Sequence, residues 1–355
     1  MITTIISAII VLGILIVVHE TGHFLMAKKM GIGVEKFSIG FGRPIWKKTS
    51  GETEYIIAWI PFGGYIKMVG DEDEEDPEKP VDPELAFNLK PIWKRALVVA
   101  AGPAANLLLA VAIFSVVYMM GMSIPDTKIL EVMKDSPAQA AGLVNGDRIV
   151  EIDNTPIDSW DQLAEIISGS AGTRISILAE KADGSLKEIP ITPEAHSSKT
   201  IFGEDVEVGR IGIRPDVIFK RYGPIKAVWR GTLQTGKIIY LTGMVIVKIF
   251  QNVVPAENIG GPLMIMKMAG DQAEAGLVPL LMFMGLISIN LGILNILPIP
   301  ILDGGHLLFF LVEAIKGKPV TLKGRIIAQQ VGMFLLISLM AFAFYNDISR
   351  FLSGN

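Results

Sequence analysis

Four long apolar runs restrict what this sequence can fold into. They cover residues 2–25, 97–122, 277–302 and 328–347. A transmembrane helix needs roughly 20 consecutive apolar residues, a length that the first three runs reach comfortably and the fourth only marginally. Soluble proteins also reach about half apolar residues, so the 50% hydrophobic composition alone would not decide the class. We predict a polytopic α-helical membrane protein with about four transmembrane helices.

Residues 222–250 form a fifth, weaker candidate for a membrane helix. Their apolar part, residues 238–250, follows Lys237, is interrupted by Lys248 and is too short to cross a bilayer. We expect an amphipathic segment that lies in the membrane interface. A fifth membrane span is the alternative.

The positions of the cations predict the orientation in the membrane. No positive charge precedes the first run and no clear cleavage site follows it, so we expect a span rather than a cleaved signal peptide. Lys28 and Lys29 follow this run, and residues 315–325 are also basic. The positive-inside rule places both segments in the cytoplasm. The N-terminus, the segment between the second and third runs and the C-terminus then lie on the opposite side.

Charge and cysteine content exclude several classes of site. The formal net charge is −4, with no cluster of basic and aromatic residues, so nucleic acid is not an expected partner. The sequence contains no cysteine, which excludes disulfides and thiolate metal ligands. Any metal site must therefore use histidine, carboxylate or neutral oxygen ligands.

The segment between the second and third runs reads as a soluble α+β insert. Alternating apolar and polar residues predict four strands, at residues 128–133, 148–152, 174–179 and 187–192. Four apolar residues share one face of a predicted helix: Trp160, Leu163, Ile166 and Ile167. A turn signal at residues 182–184 joins the last two strands as a hairpin.

The string SPAQAAGLVNGDRIVEIDNTPI in this insert resembles a PDZ domain of the bacterial, protease-associated type. The resemblance covers residues 126–215, and it separates an N-terminal membrane region, residues 1–125, from a C-terminal one, residues 216–355. Such domains add a peptide strand to a sheet edge and receive its terminal carboxylate on backbone amides. The resemblance assigns that role to Ala141, Gly142 and Leu143. A module that excludes large substrates and binds no peptide is the alternative.

The motif His19-Glu20-Thr21-Gly22-His23 lies inside the first apolar run. Histidines four residues apart lie on the same side of a helix, where two imidazoles can bind one Zn²⁺ and Glu20 can act as the general base. Each ionisable residue inside a membrane span costs roughly 2.5 kcal/mol or more unless it has a partner. A shared metal site supplies that partner.

The residues alone leave two candidates for the third protein ligand of the metal. A catalytic zinc takes three protein ligands and keeps one position open for water. The third run contains Pro298 and Pro300, which disrupt a helix, and Asp303 follows at the predicted cytoplasmic end. Asp303 and His306 are the two candidates.

Asn295 lies just before these prolines. Its amide could donate a hydrogen bond to a substrate carbonyl or to the oxyanion formed from it. An amide that bridges two helices is the alternative.

Together these motifs resemble the site-2 protease family, peptidase family M50, of the bacterial regulator-of-sigma-E type. The resemblance extends over nearly the whole chain, through HExxH, the segment from Asn295 to His306, and three further motifs. Those motifs are Gly40-Phe41-Gly42, Pro61-Phe62-Gly63-Gly64-Tyr65-Ile66-Lys67-Met68 and Ala101-Gly102-Pro103-Ala104-Ala105-Asn106. The dipeptide Gly261-Pro262 adds a shorter match. Many such proteins carry two PDZ domains, whereas this chain has room for one.

The resemblance implies a function and a set of site residues. It implies an intramembrane zinc endopeptidase in a bacterial inner membrane, with His19, His23 and Asp303 as ligands and Glu20 as general base. It also implies that Asn295 positions the substrate and that Asn106 lies close to the active centre. The implied substrates are single-pass membrane proteins, such as a trimmed anti-sigma factor or a signal-peptide remnant.

The family further suggests a membrane-associated β-hairpin over residues 34–68, beside the active centre. Five of its residues are implied to position the substrate: Gly40, Phe41, Gly42, Gly63 and Gly64. A transmembrane helix has no free backbone donors, so a protease must unwind it and hold it extended, which an exposed strand edge can do. An ordinary cytoplasmic loop is the alternative.

Two other functions compete with proteolysis. A non-catalytic PDZ membrane receptor could keep a structural metal, although such a site does not need Glu20. A metal transporter would need polar residues along its spans, and only one ionisable cluster is present.

Overall fold

The computed structural model describes residues 2–70, 82–200, 203–255, 257 and 260–353. Its helices are α1 Ile2–Lys29, α2 Ile92–Met120, α3 Pro137–Ala141, α4 Trp160–Gly169, α5 Pro224–Phe250, α6 Pro262–Ala275, α7 Leu277–Ile296, α8 Asp303–Lys316 and α9 Leu322–Ser353. Its strands are β1 Val34–Ser50, β2 Thr53–Met68, β3 Met122–Val132, β4 Arg148–Ile152, β5 Thr155–Pro156, β6 Ile175–Glu180, β7 Leu186–Ile191, β8 Glu194–Lys199, β9 Asp205–Arg210 and β10 Ile213–Lys220.

Four helices in the described part of the chain are long and apolar enough to cross a membrane: α1, α2, α7 and α9. These four helices correspond to the four apolar runs of the sequence, so the expected number of long apolar helices is confirmed. Many of their large apolar side chains are exposed in the isolated chain, as expected for surfaces that face lipid. Helix α5 is not among the described helices that are long and apolar enough to cross a membrane. Its location in the membrane interface stays a prediction.

The third apolar run ends as a helix earlier than predicted. Residues 277–302 were expected to form one disrupted span, but α7 ends at Ile296. Leu297 precedes Pro298 and is extended, with φ −58° and ψ 142°, because a residue before proline disfavours the helical conformation. The chain then begins a separate helix, α8, at Asp303.

Helix α6 was not predicted, and its N-terminus depends on a distant residue. Its N-cap Gly261 has no side chain to accept a hydrogen bond. Asp347 of α9 takes that role by accepting from the backbone N–H groups of Gly261, Leu263 and Met264, at 2.8, 3.0 and 3.1 Å. A carboxylate at a helix N-terminus satisfies otherwise unpaired donors and suits the helix dipole.

Strands β1 and β2 form a separate sheet after α1. Residues 36–39 of β1 pair with residues 64–67 of β2 on one side and with residues 54–57 on the other. Residues 46–50 pair with residues 53–57. The pairing therefore leaves residues 64–68 at one edge of this sheet, with no further strand beside them among the described residues.

The β-rich insert contains the predicted helix and the four predicted strands, of which β3 begins six residues earlier than expected, at Met122 instead of Lys128. The two-residue strand β5 was not predicted. Its main sheet runs β10-β3-β4-β6-β7, with β5 beside β4, and β8 and β9 form a small second sheet. Strands β8, β9 and β10 were not predicted. The core is made of aliphatic residues, including Ile149, Leu163 and Ile177, which are at most 1% exposed.

The chain divides into two compact units. The helical unit comprises Met1–Val117, Gly223–Met244 and Ala256–Asn355, and the β-rich unit comprises Tyr118–Tyr222 and Val245–Pro255. The predicted boundaries at residues 126 and 215 fall inside β3 and β10, so the compact unit is longer at both ends.

Candidate metal centre

Three side chains from two distant parts of the sequence meet in the helical unit. His19 Nε2 lies 3.2 Å from His23 Nε2 and 3.2 Å from Asp303 Oδ2, and His23 Nε2 lies 3.5 Å from Asp303 Oδ1. Both histidines are 8% exposed. Among the described residues these three form the group that could bind a metal ion.

His23 is oriented by α2. Its Nδ1 donates to the carbonyl of Val98 at 2.8 Å, which leaves the lone pair of Nε2 directed at the other two side chains. Gly102 allows this close approach, because a Cβ at that position would lie 2.2 Å from His23 Nε2. Sequence reasoning missed Val98, since a backbone acceptor leaves no residue-type signal.

His19 is oriented by Asn106, which is completely buried on α2. The Asn106 amide nitrogen lies 3.2 Å from His19 Nδ1, while Asn106 Oδ1 is buried without a hydrogen-bond partner. Rotating the amide by half a turn would place Oδ1 where it can accept a hydrogen bond from His19 Nδ1–H. The amide therefore faces a ligand histidine, whereas the sequence implied only that it lies near the centre.

Asp303 is the first residue of α8. Burial alone would raise its pKa, but hydrogen bonds and charge interactions with His19 and His23 outweigh that effect and lower the pKa to about 2. The side chain is thus a carboxylate at neutral pH, the form that a metal ligand requires. When the imidazoles are neutral, with Nδ1 protonated, Asp303 Oδ2 is instead a buried acceptor without a donor.

The separations between these atoms fit a tetrahedral zinc site. Zinc–nitrogen and zinc–oxygen bonds of about 2.0–2.1 Å place neighbouring tetrahedral ligands about 3.3 Å apart. The observed separations are 3.2, 3.2 and 3.5 Å. Without a cation, three electron-rich atoms would face one another at this distance. The donor set and its spacing therefore fit zinc with one coordination position left for water.

Glu20 lies beside this group and interacts electrostatically with His19, His23 and Asp303. The edge of the β1–β2 sheet runs past it, because a Cβ built on Gly64 would lie 3.0 Å from Glu20 Cγ. Phe24 of α1 also contacts the sheet through the rings of Phe37 and Tyr55, at 5.5 and 6.0 Å. These contacts place the sheet edge formed by residues 64–68 next to the acidic residue of the motif.

The predicted substrate-positioning residues of the hairpin lie in this sheet. Gly40 and Gly42 adopt φ of +90° and +91°, and Gly63 adopts +116°. At Gly63 a Cβ would lie 2.0 Å from the ring of Phe41, which stacks on Tyr65 at 6.2 Å. Gly63 therefore allows an aromatic ring to pack flat against the start of the edge segment.

Asn295 and His306 occupy different places relative to the three ligands. Asn295 Nδ2 lies 3.3 Å from His19 Nε2, so the amide borders the group. His306 is one turn along α8 from Asp303, and its ring lies 6.3 Å from that of Phe309. It is outside the ligand group, so the geometry favours Asp303 of the two candidates.

Two of the three predicted peptide-binding residues of the insert, Gly142 and Leu143, already donate hydrogen bonds within the chain. Gly142 ends α3 in the left-handed conformation, and its N–H donates to the Gln139 carbonyl at 3.1 Å. The Leu143 N–H donates to the Ala138 carbonyl at 3.0 Å. These two amides are therefore not free to receive a peptide carboxylate.

Comparison with known proteins gives a match along most of the chain. The model of peptidase family M50 matches residues 7–339. A Brucella suis protein provisionally named a zinc metalloprotease is 37% identical over 360 residues, covering 97% of this chain and 95% of that protein. The regulator of sigma-E protease of Escherichia coli K12 is 33% identical over 451 residues, covering 97% and 98%.

The E. coli alignment is longer than this chain of 355 residues, so that relative contains sequence which this chain lacks. Among solved structures, the PDZ domain of an SdrC-like protein from Listeria innocua is 25% identical and covers 25% of this chain and 92% of that domain. Its TM-score of 0.20 does not establish a shared fold. The PDZ identity of the insert stays a prediction.

Proposed function

The chain belongs to peptidase family M50, and we propose that it is an intramembrane zinc endopeptidase that cleaves single-pass membrane proteins within their spanning segments. The observation that carries this proposal is the cluster of donor atoms from His19, His23 and Asp303 inside a helical membrane unit. The two histidine Nε2 atoms lie 3.2 Å apart, and they lie 3.2 and 3.5 Å from the two carboxylate oxygens of Asp303. A closed structural site would use four protein ligands, whereas three leave one position for water.

The chemistry divides between the metal and Glu20. A zinc ion held by His19, His23 and Asp303 would polarise the peptide carbonyl and lower the pKa of water. Glu20 takes the proton from the attacking water and delivers it to the leaving amine nitrogen. Asn295 borders the ligands and donates to the substrate carbonyl or to the negative charge that develops on it.

Residues 64–68 are proposed to hold the substrate. A membrane-spanning helix uses its backbone groups internally, so its peptide bonds become reachable only when it unwinds. An unpaired strand edge beside Glu20 can bind the unwound segment by adding it as a further strand. Four large apolar side chains of the hairpin are exposed, which supports contact of the hairpin with lipid: Ile45, Trp46, Trp59 and Ile60.

We further propose that the β-rich insert limits access to the site from the extracytoplasmic side. The positive-inside rule supports this orientation, with the active site towards the cytoplasm of a bacterial inner membrane. The internally bonded amides of Gly142 and Leu143 favour a size filter over capture of a peptide terminus at that loop. Trimmed anti-sigma factors and signal-peptide remnants are substrates that would pass such a filter.

The test compares full-length wild type with Glu20→Gln in proteoliposomes that contain a single-pass substrate. Loss of the general base should lower the cleavage rate by about 10²–10⁴-fold while the protein still binds zinc. Glu52→Gln is the matched control, because Glu52 is exposed at the hairpin turn. Equal cleavage by Glu20→Gln that a chelator does not inhibit would overturn the proposal.

A further inference from the structure

A buried ion pair connects the two helices α2 and α8 away from the metal centre. Arg95 donates through Nη1 to Glu313 Oε2 at 3.1 Å and through Nη2 to Oε1 at 2.6 Å. The side chains are only 7% and 13% exposed. Arg95 Nε also donates to the Lys90 carbonyl at 2.9 Å, and its guanidinium group lies 4.9 Å from the centre of the Phe310 ring.

The Arg95–Glu313 pair contributes more to the relative position of α2 and α8 than to the stability of the fold. Two parallel hydrogen bonds between a guanidinium and a carboxylate set both a distance and an orientation. A buried ion pair contributes little net stability, because removing two charges from water offsets much of their attraction. The contacts to Lys90 and Phe310 further restrict the guanidinium. The pair therefore sets where α8 lies along α2.

Helix α2 already orients both histidine ligands. The Val98 carbonyl, one turn after Arg95, accepts from His23, and Asn106 on the same helix contacts His19. The third ligand, Asp303, is the first residue of α8, and Glu313 lies on that same helix. Residues 297–302 before Asp303 are irregular, and the first turn of α8 packs closely on them and on the end of α7, where a Cβ on Gly304 would lie 2.1 Å from the Ile296 carbonyl oxygen. The Arg95–Glu313 pair holds the opposite end of α8 on α2.

We infer that Arg95 and Glu313 are positioning residues of the metal centre. They fix the register of α8 on α2 and thereby the separation of Asp303 from His19 and His23. This inference rests on the proposed zinc site. It assigns a role in metal retention to two residues that do not contact the metal ligands.

The experiment measures zinc release from the folded, full-length protein to an excess of chelator, together with its thermal unfolding in detergent. The variants are Arg95→Met, Glu313→Gln and the reversed pair Arg95→Glu with Glu313→Arg. Arg148→Met is the control, because it removes an arginine–carboxylate pair with Asp126, at 2.8 Å, in the β-rich unit. Glu313→Gln keeps the shape of the side chain and carries the test if Arg95→Met does not fold.

Each single variant should release zinc about tenfold or more faster than wild type, the range seen when groups that orient metal ligands are removed. The reversed pair should recover part of the loss, and Arg148→Met should behave as wild type. Release rates in Arg95→Met and Glu313→Gln that equal wild type, even with lower thermal stability, would overturn the inference and leave a purely structural pair. A wild-type protein that binds no zinc would overturn the proposed function as well, which separates the two failures.

Discussion

At the candidate metal centre, Nε2 of each histidine faces the other candidate ligands, and Nδ1 contacts a residue of α2 that orients the ring. His23 is held through Val98, and His19 through Asn106. A ring that keeps one tautomer and one direction binds metal more tightly than a ring that rotates freely. Asn106 therefore belongs to the support of the ligands, whereas Asn295 borders the place where substrate would lie.

This division predicts different effects for two asparagine variants. Asn106→Ala should weaken zinc binding about 10–100-fold, because His19 loses its orienting partner. Asn295→Ala should bind zinc as wild type does and lower kcat by about 10²-fold, because a donor to the developing charge is lost. Zinc titration and steady-state cleavage of the two full-length proteins separate the effects. Equal zinc affinities in Asn106→Ala and wild type would contradict the assignment.

The motif itself is the part of the site that the sequence predicts best. Histidines at positions i and i+4 with a glutamate between them specify their own geometry on a helix. For the third ligand, the residues alone leave a choice between Asp303 and His306, because the position of each side chain depends on how α8 packs. Val98 and Ser288 leave no local signal in the sequence. Ser288, for example, acts by donating to the Asn106 carbonyl at 2.7 Å.

Among the helices, the crossing of α1 and α2 depends on small residues. A Cβ on Gly22 would lie 2.4 Å from the Ala101 carbonyl oxygen and 2.7 Å from Ala105 Cβ. Small residues let helix backbones approach closely in a membrane, where packing replaces the hydrophobic effect. This close approach brings His19 and His23 to Val98 and Asn106.

Gly22→Ala should therefore damage the centre, although the residue is not a ligand. The added methyl group should destabilise the packing by about 1–3 kcal/mol and lower zinc occupancy. Gly13→Ala on the same helix is the control, because a Cβ there has no neighbour within 4 Å. Thermal unfolding and zinc content measure both effects. Similar behaviour of the two variants would show that the crossing is not close at Gly22.

The strand edge makes a prediction that cross-linking can check. The sequence contains no cysteine, so Tyr65→Cys in the Glu20→Gln background gives a single reactive site at the edge. A series of substrates with one cysteine each should cross-link at every second position, because side chains alternate along a strand. Lys48→Cys, in the strand segment at the opposite edge, should cross-link weakly. A period near 3.6 would indicate a substrate that stays helical.

Among the helices and strands, the sequence predicts the four spans and four strands of the insert, but not strand β5, strands β8–β10 or helices α6 and α8. The N-terminus of α6 is capped by Asp347, which is 86 residues away from Gly261, and no local pattern records such a contact. The two prolines were interpreted as a break within one span. In the structure they separate α7 from a new helix, because α8 starts immediately after the irregular residues.

For the whole molecule, the β-rich insert, which is the proposed size filter, can be deleted because the two chain ends left by the deletion are adjacent. Ser123 and Phe219 are paired neighbours in β3 and β10. Their Cα atoms are therefore about 5 Å apart, and a short Gly-Ser linker can replace the residues between them. Because the ends are adjacent, excision of the insert should leave the connection between α2 and α5 with little strain.

The excised protein should lose selectivity while retaining zinc. Wild type should prefer a trimmed substrate over one with a folded extracytoplasmic domain by about tenfold or more in kcat/KM, and the excised protein should cleave both at similar rates. Rates for both substrates in proteoliposomes give the comparison. Unchanged selectivity after excision would show that the insert is not the filter.

The central claim is that His19, His23 and Asp303 together hold one catalytic zinc ion. Its most direct test is the zinc stoichiometry of purified full-length protein, measured for wild type, Asp303→Asn and His306→Gln. We predict one zinc ion per chain in wild type and in His306→Gln, and loss of most zinc in Asp303→Asn, since a catalytic zinc takes three protein ligands. Full zinc occupancy in Asp303→Asn, with loss in His306→Gln, would contradict the account.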